Sequence, residues 1–67
     1  MSIAKVIEIT SDSDVSFDQA IREGVKRVNK TVKNVRGAWI KNQSLKIENG
    51  QIKCYRVDLK VTFVLED

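Results

Sequence analysis

The chain has 67 residues, 12 basic and 9 acidic side chains, one cysteine and no histidine or proline. That length makes a single domain, 1–67, which buries only about 60% of its unfolded surface. One cysteine and no histidine exclude an internal disulfide and a Cys/His zinc site. A core this small supplies roughly 3–5 kcal/mol, so stabilisation by self-association is expected.

Ala4 to Thr10 (AKVIEIT) is β-rich and is expected as a first strand, with Val6 and Glu8 on one face and Ile7 and Ile9 on the other. Ser11 to Val15 (SDSDV) is expected as a polar loop. Ser16 is the expected helix N-cap, with Gln19 completing a capping box and Val15 placed to staple against Ala20. From Phe17 to Asn34, apolar residues recur every three or four positions, predicting a helix with one buried stripe that continues to Val35. Gly24 lies on that stripe, where it permits close approach to the sheet or to another subunit.

The last third, Arg36 to Glu66, is a hairpin. Asn49-Gly50 sits between two runs of alternating apolar and polar residues, the strongest short-range hairpin signal. A two-residue turn there places Ala38, Ile40, Tyr55, Val57, Leu59, Val61, Phe63 and Leu65 on one face, expected as the core. The other face pairs Trp39 with Lys60, Lys41 with Asp58, Gln43 with Arg56, Leu45 with Cys54, and Ile47 with Ile52. The expected fold is α+β, in the order β-α-β-β. Its sheet is three-stranded and antiparallel, the long last strand lies in the middle, and the helix crosses one face right-handed. The uncovered face would then expose a contiguous apolar patch, which argues again for burial by other copies of the chain.

Little in the sequence points to catalysis. Without histidine the commonest general base is missing, Cys54 has no partner base, and three glycines form no phosphate-binding loop. The protein is expected not to be an enzyme. Asp12, Asp14, Ser16 and Glu23 are spaced somewhat like a calcium loop, but Phe17 stands at the required glycine, so loop solvation and helix capping explain them better. The basic run from Lys26 to Arg36 lacks aromatic stacking residues, and a solvated helix face explains it better than nucleic-acid binding. The lone cysteine fits a reducing compartment. The N-terminal residues carry no signal-peptide pattern and no apolar run reaches transmembrane length, so a cytoplasmic protein without membrane partners is expected. On the uncovered face, Trp39 could pack in an interface or stack on a planar ligand, and Arg56 or Lys60 could meet a phosphate or form cross-strand ion pairs.

The order and spacing of KVIEI, SFDQAI, KTVKNVRGAW and ENGQIKCYRVDLKVTFVLE resemble the dodecins over nearly the whole chain. The resemblance implies a sheet wrapping one helix and a hollow homo-oligomer of twelve subunits. It also implies a flavin such as riboflavin or FMN held between subunits, stored or quenched rather than used in catalysis. In flavin-binding members a tryptophan stacks on the ring and a glutamine hydrogen-bonds it. Aligned on Asn34-Val35, these positions fall on Gly37 and Arg56, with Trp39 two residues further along the same face. Gly37, Trp39 and Arg56 are therefore the candidate ligand residues. Glycine offers no stacking surface, and arginine offers donors but no acceptor. A structural or calcium-binding shell of the same architecture is the alternative.

Overall fold

A computed structural model describes residues 2–65. The chain runs β1 (Ile3–Ser13), α1 (Phe17–Thr31), β2 (Val35–Glu48) and β3 (Gln51–Leu65). The sheet is antiparallel throughout, in the order β1-β3-β2. The expected element order and the central third strand are both found; the hairpin's last expected residue, Glu66, lies outside the described residues.

β1 is longer than expected. The polar stretch Ser11-Asp12-Ser13 stays in the ladder, opposite Val57, Arg56 and Tyr55. The alternation of Ile7 and Ile9 continues through Ser11 and Ser13, whose hydroxyls replace apolar packing with hydrogen bonds to the helix. Ser11 Oγ donates to the Ala20 carbonyl at 2.6 Å. The buried Ser13 donates to Gln19 Oε1 and accepts from the backbone N–H of Val15 and Ser16.

Ser16 caps α1 as expected, its hydroxyl accepting from Gln19 N–H at 3.0 Å. The return arm of the capping box differs. Gln19 does not bond the Ser16 N–H directly; Ser13 Oγ stands between them and bonds both. The staple is also corrected: Ala20 is fully buried, but Val15 is 61% exposed. The helix ends at Thr31 rather than Asn34. Val32 N–H makes the closing bond to the Val28 carbonyl, but the Val32 backbone is itself extended, which ends the helix; two residues on, Asn34 adopts a left-handed φ of 63° and turns the chain into β2. The Asn34 carbonyl then accepts from Val64 N–H at 3.1 Å, tying the turn to β3.

Gly24 serves the close approach to the sheet. A Cβ added there would lie 3.1 Å from Ser11 Cβ and 3.2 Å from Leu59 Cδ1. The buried core is Ala20, Val28, Val57, Leu59 and Val61, flanked by Ile7, Ile9, Phe17, Ile21, Val32 and Val35. Phe17 meets Tyr55 edge to face, with ring centroids 5.2 Å apart. Only part of the expected core face is therefore covered. Ile40 and Leu65 remain 45% and 46% exposed, and β2 is exposed at every position after Val35. The helix lies over β1 and β3 and scarcely reaches β2.

The hairpin turn forms at Asn49-Gly50, with φ of 53° and 74°, the left-handed pair of a type I′ turn. Pairing is as expected at both ends: Ala38–Val61, Trp39–Lys60 and Ile40–Leu59 at the base, Ile47–Ile52 and Glu48–Gln51 at the tip. Between them the register is offset by one. Lys41 is an extra residue in β2 and Lys53 an extra residue in β3. Asn42 therefore faces Asp58, Ser44 faces Arg56, Leu45 faces Tyr55 and Lys46 faces Cys54, correcting three expected pairs. Leu45 moves to the helix side of the sheet, where Tyr55 meets Phe17.

Two substitutions test this packing. Ser13→Ala strands Gln19 Oε1 and two backbone donors and should cost about 2 kcal/mol. Gly24→Ala gains about 1 kcal/mol of helix propensity but crowds a strand-fixed Cβ and a core leucine, a penalty of about 1–3 kcal/mol. A net loss is expected, read as a lower urea midpoint at matched protein concentration.

Candidate functional site

The face of the sheet away from the helix carries Trp39 and charged side chains from all three strands. β3 runs down its middle, so each β3 residue meets one partner from β1 and one from β2. Lys60 lies between Glu8 and Trp39, and Arg56 between Asp12 and Ser44. Asp58 lies between Thr10 and Asn42 and accepts a 2.9 Å hydrogen bond from Thr10 Oγ1.

Trp39 is the only tryptophan and is 48% exposed. Lys60 Nζ sits 5.8 Å from its ring centroid, within cation–π range. The same ammonium is 3.8 Å from Glu8 Oε1, and Lys41 Nζ is 3.2 Å from that oxygen. The expected Lys41–Asp58 pair is thus replaced. The extra residue in β2 takes Lys41 out of register with Asp58, and its long stem reaches across β3 to Glu8 on β1.

Arg56 forms a two-pronged bridge to Asp12, with Nε to Oδ1 at 2.9 Å and Nη2 to Oδ2 at 3.1 Å. The hydrogen bonds from Arg56 lower the Asp12 carboxyl below its ordinary value of 3.8; desolvation opposes them, and the Arg56 charge and the Cys54 thiol add to the lowering. Asp12 raises Arg56 in return, chiefly through the same hydrogen bonds. Both side chains are nearly half exposed, so the bridge is a screened surface pair. Sequence reasoning missed Asp12 as the partner because it ended the first strand at Thr10.

Gly37 faces Thr62 at the base of the hairpin, and a Cβ built on it would have nothing within 4 Å. The sheet surface there is open. Gly37 and Trp39 are neighbours on it, about 7 Å apart along β2. Arg56 is not with them. It lies six residues from Thr62 along β3, about 20 Å from the Gly37 row at a strand's rise. One chain therefore does not bring Gly37 and Arg56 together. Cys54 is half-buried opposite Lys46. Among the described residues, no three His, Cys, Asp or Glu side chains cluster to hold a metal ion, and no helix is long and apolar enough to cross a membrane.

The Asp12 carboxyl has a lower proton affinity folded than unfolded, so its contribution to stability is present above pH 3.8 and fades as pH falls through the lowered folded value. The wild type should exceed Asp12→Asn in thermal stability at neutral pH. The gap should close as pH drops below 3.8 and should narrow in high salt, measured by melting both proteins across pH.

Residues 3–66 match the Dodecin family model. The calcium dodecin of Mycobacterium tuberculosis is 35% identical over 63 residues, covering 94% of this chain and 89% of that protein. Dodecin from Streptomyces davaonensis superposes with a TM-score of 0.93 at 30% identity, covering 98% of this chain and 97% of that one. A crystal structure of the calcium-chelating antigen calcium dodecin from Mycobacterium tuberculosis, described as having a novel calcium-binding site, superposes with a TM-score of 0.84 at 35% identity, covering 97% and 93%. With a family match across the described length and the same β-α-β-β sheet in its relatives, the chain belongs to the dodecin family.

Proposed function

We propose that the protein is a non-catalytic binding shell, a homo-oligomer of twelve copies that holds a small planar ligand, with flavin as the default. The observation that carries the reading is the exposure of β2 at every position after Val35, with Trp39, Ile40, Leu45 and Ile47 each 45–56% exposed. A chain of 7.6 kDa with so narrow a core gains burial by assembling. Dodecins form such assemblies, which supports the subunit number.

Gly37, Trp39 and Arg56 are the proposed ligand residues. The open surface over Gly37 beside the exposed indole supports stacking on Trp39. Arg56 lies too far along the sheet to meet the same ring within one chain, so a shared ligand takes it from a neighbouring copy and competes with Asp12 for it. The second reading is a calcium-binding shell, favoured by the 35% identity to a relative named calcium dodecin. A cation would then draw carboxylates from more than one copy. The protein is read as cytoplasmic in either case, with neither membrane nor nucleic acid as a partner.

Light scattering behind size exclusion should give about twelve times the 7.6 kDa chain mass; a monomer in dilute buffer sinks the shell. Riboflavin fluorescence should be quenched at micromolar protein, and less so by Trp39→Ala. If quenching is absent and millimolar calcium raises the melting temperature, the second reading takes its place.

A further inference from the structure

Beside Trp39, one carboxylate is shared by two ammonium groups. Glu8 Oε1 is 3.2 Å from Lys41 Nζ and 3.8 Å from Lys60 Nζ, and Lys60 Nζ is also 5.8 Å from the indole centroid. These three side chains sum to one net positive charge beside the aromatic face. The nearest opposing charge outside this group is the Asp58 carboxylate, one row further from Gly37 along β3. Arg56 and Asp12 are joined in their own bridge, while Asp58 accepts a hydrogen bond from the neutral Thr10 hydroxyl and keeps its charge on the side of Lys60 away from Gly37.

The next row of the sheet beyond Trp39 contains no charge. Val6, Thr62 and Gly37 face one another across the three strands. Val6 is 47% exposed, and nothing stands over Gly37. Together they form an uncharged floor one row deep, walled on one side by Trp39 and the Lys60 ammonium.

We infer that this floor, with Lys60 as a specificity-determining residue whose charge Glu8 only partly offsets, selects planar aromatic ligands that carry a negative charge on the ring system. The inference rests on the planar-ligand reading above and names its ligand class. A neutral ring that covers the indole displaces the ammonium from the π face and gains no charge partner. An anionic ring lying over Val6, Thr62 and Gly37 meets the Lys60 ammonium at its edge and offsets the local positive charge. The alternative is that Lys60 and Glu8 only fix strand register, and the variants below separate the two.

The test uses the full oligomer and two three-ring probes of equal size, phenazine-1-carboxylate and neutral phenazine-1-carboxamide. Binding is read from quenching of the single tryptophan at pH 7 and low salt. The carboxylate should bind about tenfold more tightly than the carboxamide, as a charge-assisted contact implies. Lys60→Gln should remove the preference, and Lys60→Arg should retain it. Glu8→Gln should tighten carboxylate binding about threefold, the effect of one unit charge near 6 Å in water. Equal binding of the two probes, or a preference unchanged in Lys60→Gln, overturns the inference and leaves the planar-ligand reading standing. If neither probe nor riboflavin binds, that reading falls and takes the inference with it.

Discussion

The structure depends on a mismatch of lengths. A helix of 15 residues is about 22 Å long, whereas strands of 14 and 15 residues extend close to 50 Å. The molecule measures 51 × 19 × 13 Å, so its long dimension is set by the hairpin. No placement of α1 could cover the sheet. It covers the portion where β1 and β3 carry Ile7, Ile9, Val57, Leu59 and Val61, and Gly24 lets it settle close enough to bury the three β3 residues and pack against the two isoleucines. Beyond the Ser13–Tyr55 pair the hairpin tip is left as a two-stranded arm, whose Ile47 and Ile52 have no cover of their own. Such an arm is marginal alone in water, which links the shape of the subunit to its need for neighbours.

The second face shows how the central strand imposes order. Each cross-strand pair there is exposed and contributes under about 1 kcal/mol. Their pattern matters more than their sum. Glu8 with Lys60, Thr10 with Asp58, and Asp12 with Arg56 make three successive matched rungs between β1 and β3. A slip of one residue would turn these polar groups toward the helix and Ile7 and Ile9 away from it. Electrostatics and burial therefore specify the same register from opposite faces.

Much of this was legible in the residues. The I′ turn, the central third strand, the Ser16 cap and the end-of-hairpin pairs follow from Asn-Gly chemistry, alternation and capping preferences. The missed features have separate causes. Ser11, Asp12 and Ser13 read as loop because serine and aspartate favour turns, yet a strand can continue through them when each hydroxyl or carboxylate finds a partner, as these do on Ala20, Gln19 and Arg56. The bulges at Lys41 and Lys53 leave no mark in composition, because an inserted lysine keeps the polar character of its surroundings. The extent of helix coverage is a three-dimensional quantity, so Ile40 and Leu65 matched the pattern of a core without being enclosed. Gly37 and Arg56 could be aligned along the chain, but only the geometry of β3 shows how far apart they stand.

The two inserted lysines have a consequence for shape. Each bulge bends its strand and increases the local right-handed twist, and here one sits on each strand with the Asn49-Gly50 turn beyond them. Because the second insertion cancels the first, the arm curves without losing its pairing at the tip. A straight two-stranded arm with exposed edges would favour indefinite edge-to-edge pairing. A bent one meets its neighbours at an angle, and repeated angles close on themselves. In the proposed shell, the curvature of the whole particle would thus begin in single-residue insertions within each hairpin, at Lys41 and Lys53 and, at its base, at Arg36.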